Sequence, residues 1–236
     1  MIHLFTDPYL RELWNTGASA RYPEMLARRV LAFLDVLDAA SSIEELEKVP
    51  GCRTRPLFDR GAVDVKTMDI SPNWKIVFHM EGGCFTGLRL QHAGQSGQPV
   101  LPPTLVAVPK MRKPTLPASI LWHFFMEPMN LRQTDLADSL KLNRGRINAI
   151  MHSRFAVSAD TANRLESAFG VSAQFWLRLQ MNYDIWKAKI ANDDNYRNIA
   201  RVNSRVVAGY ETTERGDIPS PQDVESNLPF DQVRPG

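Results

Sequence analysis

Residues 94–117 read GQSGQPVLPPTLVAVPKMRKPTLP and carry prolines at 99, 102, 103, 109, 114 and 117. Each proline removes a backbone donor and pushes the residue before it away from helical geometry, so no helix runs through this stretch. Whatever this chain builds, it builds on either side of the break. Residues 94–113 therefore read as an extended linker in which TLVAV could still dock as an edge strand. They separate a first segment, 1–93, from a second, 114–190, and a polar extension follows over 191–236. That extension carries Pro219, Pro221, Pro229 and Pro235 and is expected to be largely disordered toward its end.

The first segment reads as helix, then sheet. Over 23–38, Leu26, Val30, Phe33, Leu34 and Leu37 share one helical face. Pro50-Gly51 marks a turn. AVDVKTMDI alternates, placing Val63, Val65, Thr67 and Asp69 on one side of a strand. NWKIVFHM and CFTGLRLQH follow as strands joined at Gly82-Gly83, a hairpin signal. The second segment reads as helices throughout: 118–127, Gln133–Leu140, 144–153 behind an Asn143 cap, a fourth from Ser158 or Ala159 to Phe169, and a fifth capped by Ser172. Gly170 stops the fourth. The fold class expected is α+β: a small antiparallel sheet with helices, then an all-α helix-turn-helix domain.

Charge is unevenly placed along the chain. Residues 1–93 hold 11 Lys and Arg against 12 Asp and Glu, whereas residues 94–190 hold 12 against 6. A polyanion is therefore expected to bind in the second segment. The start MIHLFTDPYLRELW shows no basic region followed by an apolar run, so no signal peptide is expected, and no apolar run approaches the ~20 residues of a membrane helix. A cytoplasmic chain that does not enter a membrane is expected. Cys52 and Cys84 form no CxxC pair and read as free thiols, and His3, His79, His92, His123 and His152 show no metal-ligand spacing. Neither a metal nor a cofactor is expected.

Wound at 100° per residue, residues 144–152 place Ile147, Ile150 and Met151 on one side. Gly145, Ala149 and His152 lie opposite, beside Asn148 and flanked by Arg144 and Arg146. No acid stands between Asp138 and Asp160. Two short helices joined by a three-residue turn form a helix-turn-helix, whose second helix enters the DNA major groove. Small residues allow close approach there, Asn pairs with adenine, and Arg reaches guanine or phosphate. Gln133 and Thr134 open the preceding helix, where its amides can hold a phosphate. The interface expected comprises Gln133, Thr134, Asn143, Arg144, Gly145, Arg146, Asn148, Ala149, His152 and Arg154. The competing reading is a helix pair whose small residues pack against another protein helix; the charge balance favours DNA. Trp176, Tyr183 and Trp186 on the last helix read as a hydrophobic seam against the first helix or a dimer mate.

These motifs carry a family resemblance. LPASIL, the helix-turn-helix just described and FGVSAQFWLRLQMNYDIWKA together resemble the HigA antitoxins, a lambda-repressor-like branch of the Xre/Cro regulators, over about residues 114–190. The resemblance implies a homodimer that binds a palindromic operator in double-stranded DNA and represses transcription. It departs at His152-Ser153, where the family usually has Asn-Gly. MIHLFTDPYLRELWNTG, LDVLDAASSIEEL and ISPNWKIVF resemble the HigB toxins of the RelE-like fold, so the chain reads as a toxin and its antitoxin fused in frame. HigB toxins cleave messenger RNA. Of the cations and the Tyr-His pair that this chemistry implies, the first falls on Phe58, the second near Ser71, and only Lys75 and His92 remain as vestigial catalytic candidates. The function expected is a DNA-binding regulator with a catalytically degenerate toxin domain that is able to meet other toxin–antitoxin proteins. The alternative is a ribonuclease silenced by its own fused antitoxin.

Overall fold

The computed structural model describes residues 1–57, 65–94 and 112–199. Met1–Asp193 form one compact unit; Asp194–Gly236 belong to a second, of which 194–199 are described. The region 95–111, with TLVAV and most of the expected linker, lies outside the described residues, as do Val63 and the chain beyond 199.

Local chemistry sets the first elements. The Asp7 carboxylate accepts from the amides of Tyr9 at 2.9 Å and Leu10 at 3.2 Å, and Pro8 fills the position where an amide would be orphaned. Helix α1, Pro8–Thr16, starts there and ends at Gly17, whose φ of 80° is left-handed. Helix α2, Glu24–Ala39, buries Val30, Phe33, Leu34 and Leu37, the face that the periodicity marks. Ser42 caps the short α3, Ile43–Glu47.

Four antiparallel strands follow in the order β1 (Thr54–Pro56), β2 (Val65–Ser71), β3 (Trp74–Glu81) and β4 (Cys84–His92). Gly82 and Gly83 turn the β3–β4 hairpin with φ of 56° and 77°, positive at both positions as a type I′ turn requires. Met68, Ile70, Ile76, Phe78, Phe85, Leu88 and Leu90 join the helices in the core. The opposite sheet face is also dry at its centre, with Val65, Thr67 and Val77 all buried. The alternation in β2 thus marks the two faces without telling wet from dry. Asp69, expected beside Val65 and Thr67, is exposed at the strand end and pairs with Arg55 at 3.3 Å. Cys52 and Cys84 are free thiols.

The second helical group begins at α4, Pro117–Ile120, which widens into a π-helical stretch, Leu121–Met126. The sequence reads here as plain α-helix; the wider turn is seen in amide bonds five residues back, such as Glu127 to Trp122 at 2.8 Å. Then come α5 (Gln133–Leu140), α6 (Arg144–Met151), α7 (Ala159–Phe169) and α8 (Ala173–Arg197), the last losing helical geometry at Asn192. Phe125 of the first helix packs on Trp176 of α8 at 5.0 Å and on Phe169 at 4.9 Å. Trp176 is fully buried in this seam.

The two segments share packing. Phe33 of α2 meets Phe124 edge to face at 4.9 Å. Arg178 donates to the Ala39 carbonyl at 2.9 Å, Asn182 donates to Asp38 at 3.0 Å, and Ser172 bonds Glu45. The deepest tie is Arg112, which reads in the sequence as linker and is buried. Its guanidinium grips Asp35 of α2 through two bonds, 2.6 and 3.1 Å, and both side chains are only 2% exposed.

An unpaired charge at that depth is far costlier than the pair itself is stabilising. Asp35→Ala is therefore expected to lower unfolding stability by about 3–5 kcal/mol in urea melts. Replacing both partners together, Asp35→Leu with Arg112→Met, should recover most of that loss.

Candidate nucleic-acid interface

Helix α5 ends with Lys141 in the left-handed region, φ 54°, and the Leu142 amide turns back to the Ala137 carbonyl at 3.0 Å. Asn143 then caps α6: its side-chain oxygen accepts from the Arg146 amide at 2.7 Å. Leu136, Ala137 and Leu140 of α5 and Ile147 and Ile150 of α6 are buried together, which fixes the two helices as a pair. This is a helix-turn-helix.

The structure divides the residues expected at the interface. Asn143, Arg144, Gly145, His152 and Arg154 are exposed, and Asn148 is half-exposed. Among the described residues, neither Arg144 nor Arg154 has an ion pair. Gly145 is open: a Cβ built there meets only the Asn143 side-chain oxygen, at 3.4 Å. His152 holds its Nδ1 at 2.8 Å from the Asn148 carbonyl. A carbonyl only accepts, so Nδ1 is the donor in this bond.

Ala149 and Arg146 are placed differently from the expectation. Ala149, assigned to the exposed face, is 9% exposed and counts with the core. The chain folds back over it beyond α6, where the amides of Arg154 and Phe155 both bond the Ala149 carbonyl, at 2.8 and 3.2 Å. That return requires Ser153 to take φ of 56°, a conformation that glycine and asparagine reach at less cost. Arg146 is half-buried, and its Nη2 reaches Ser158 at 3.2 Å and Thr161 at 3.3 Å on the first turn of α7. It fastens α7 to α6 instead of standing free beside Arg144.

At the start of α5, Gln133 and Thr134 are half-exposed. An acid belongs to this end as well. The Arg132 side chain and amide bond Asp135, whose carboxyl they hold down at about 2. The Arg-x-x-Asp spacing, residues 132 to 135, makes this pair readable in the sequence as a helix start, although the interface expected above omits it.

Lys75 and His92 are not brought together. His92 pairs with Trp74 across β3 and β4, while Lys75 pairs with Gln91. Side chains of adjacent strand residues point to opposite faces, so Lys75 and His92 lie on opposite sides of the sheet. His92 rests on the Trp74 ring at 4.9 Å, and its Nδ1 accepts from the Gly94 amide at 3.2 Å. Phe58 lies outside the described residues. Among the described residues no cluster of His, Cys, Asp or Glu is placed to hold a metal, and no helix is long and apolar enough to cross a membrane.

Comparison with known proteins agrees with the helix-turn-helix. The chain is 33% identical over 78 residues to the uncharacterized HTH-type transcriptional regulator YbaQ of Escherichia coli, a match covering 33% of this chain and 69% of that protein. Virulence-associated protein I of Dichelobacter nodosus is 40% identical over 78 residues, again 69% of its length. Antitoxin HigA-1 of Vibrio cholerae is 27% identical over 78 residues, 73% of its length. The solved structure of Pseudomonas aeruginosa antitoxin HigA with the higBA promoter is 32% identical, spans 39% of this chain and has a TM-score of 0.37. No family model matches the chain. The chain belongs to the HTH-type transcriptional regulators, by a helix-turn-helix region of about a third of its length.

Two outcomes are expected. Ser153→Gly relieves the left-handed serine and should raise stability by about 1 kcal/mol in denaturant melts. Asp135 should titrate near pH 2 by NMR. Because its folded pKa is depressed, its contribution to the start of α5 is complete above the ordinary carboxylate pKa of about 4 and is lost as pH falls through about 2.

Proposed function

We propose that the chain is a sequence-specific DNA-binding transcriptional repressor, a cytoplasmic homodimer that reads a palindromic operator through α6. The observation that carries this reading is the open, acid-free side of α6. Gly145 in the first turn weakens the helix relative to alanine, and the fold has no need of the space that it leaves. A glycine that the fold does not require suits close approach by something outside it. In this reading Arg144 and Asn148 contact base edges, and Arg154 with the first turn of α5 at Gln133 and Thr134 contacts phosphates. Arg146 and Ala149 serve from behind, by setting the angle between α6, α7 and the returning chain. The relationship to HTH-type transcriptional regulators supports the same reading.

We also infer that residues 1–93 are a RelE-like, toxin-derived domain without nuclease chemistry. Helices packed on one face of a four-stranded antiparallel sheet fit that fold. The opposed directions of Lys75 and His92 weigh against the silenced-ribonuclease alternative.

Gel shifts with DNA from upstream of the chain's own gene, across a salt series, test the reading. Affinity should fall steeply with salt, and half-sites should lie about 10 bp apart. Arg144→Ala and Asn148→Ala should each weaken specific binding by about 1–3 kcal/mol. Gly145→Ala separates contact from folding: stability should rise by up to about 1 kcal/mol while DNA affinity falls. Binding that ignores both salt and these substitutions sinks the proposal.

A further inference from the structure

A cleft of about 450 Å³ lies between α2 and the π-helical stretch, far in function from anything described above. Its lining includes Ala32, Phe33 and Phe124, with Pro50, Gly51 and Pro128. Phe33 and Phe124, in edge-to-face contact, come from the two different segments of the chain. His123 and Phe124 of the π-helical stretch and Glu127 just beyond it line the cleft, and such π-helical insertions recur where helices serve a function. Volume and lining fall in the range of pockets that take one small molecule.

The charges around the cleft narrow the class of that molecule. Glu127 holds His123, with Oε2 and Nδ1 3.1 Å apart. Arg28 is paired with Glu24 one turn earlier on α2. Arg29 lines the cleft with no carboxylate partner among the described residues, its guanidinium 6.0 Å from the Phe33 ring centroid. Among the described residues, one lining cation is therefore left over beside the apolar lining. A guanidinium fork binds a carboxylate through two parallel bonds, and a flat or flexible hydrocarbon body would lie along the cleft against the edges of the two phenyl rings, which are themselves nearly buried. Glu127 on the facing wall disfavours a second negative charge.

We propose that this cleft is a binding site for a small organic monocarboxylate with an apolar body of about six to ten carbons, its acid group on Arg29 and its body on Phe33 and Phe124. Occupied in this way, the cleft ties α2 to the helix that leads through Pro128 into α5. The proposal is independent of the DNA-binding reading, because the site and its charge balance hold whether or not α6 meets DNA.

Calorimetric titration of the full chain with octanoate, decanoate and phenylacetate, against octanamide and phenylacetamide, tests it with no DNA present. The proposal expects saturable one-site binding of at least one acid and at least roughly tenfold weaker binding of its neutral amide. Arg29→Gln, an exposed substitution that leaves the core alone, should reduce acid binding by a similar factor. Ala32→Phe should block it by filling the floor, with a thermal melt confirming that the variant folds. Absence of saturable binding by all three acids overturns the proposal. So do equal affinities for acid and amide, and affinity unchanged in both variants.

Discussion

A buried ion pair holds the two halves of this molecule in register. Arg112 and Asp35 lie in the interior, where separating either from its partner would leave a charge with no water to solvate it. What makes the pair tolerable is the completeness of its bonding. The guanidinium Nε donates to the Trp14 carbonyl at 3.0 Å, Nη1 to Asp35 and the Lys113 carbonyl, and Nη2 to Asp35. The second carboxylate oxygen also accepts from the Thr115 amide at 2.9 Å. The guanidinium lies 4.4 Å from the Trp14 ring centroid. Gly17, at the end of α1, leaves room for this arrangement: a Cβ there would stand 3.3 Å from that of Arg112. Such a pair does little for net stability, but it admits one geometry, so it fixes where the chain enters α4.

From that anchor the helical region is laid against the first segment over a broad front. The end of α2 offers Asp38 and the Ala39 carbonyl to Asn182 and Arg178 of α8, and α3 offers Glu45 to Ser172. These are polar bonds around the aromatic contact of Phe33 with Phe124. They all engage α8, Ser172 and the first helix of the group. Among these contacts none involves α6, and its exposed side is left open.

The α6 face is narrower than helical periodicity alone suggests. A helical wheel gives each side chain a direction but knows nothing of the chain that returns beyond the helix end. Here the return covers Ala149, and the first turn of α7 captures Arg146 through two hydroxyls. Arg144, Gly145, Asn148 and His152 remain along the open edge. The small residue at 149 makes room for protein backbone, and the small residue at 145 makes room for nothing within the fold.

The sequence by itself determined what is local. Period and capping chemistry specified α2, α5 to α8 and the β3–β4 hairpin, because residues a few positions apart settle these: Asn143 and Ser158 at helix starts, Gly170 at an end, Gly82-Gly83 at a turn. The Asp7-Pro8 start of α1 is a local signal of the same kind, although α1 is not among the helices expected. Charge balance and the small, acid-free side of residues 144–152 pointed to the α6 surface. Tertiary structure alone decided that Arg112 is a core residue, since its partner stands 77 positions earlier and no local pattern encodes such a pairing. It also decided that both faces of the sheet are dry at the centre, and that Lys75 and His92 diverge. Burial and convergence depend on what distant chain lies alongside, and periodicity carries only direction.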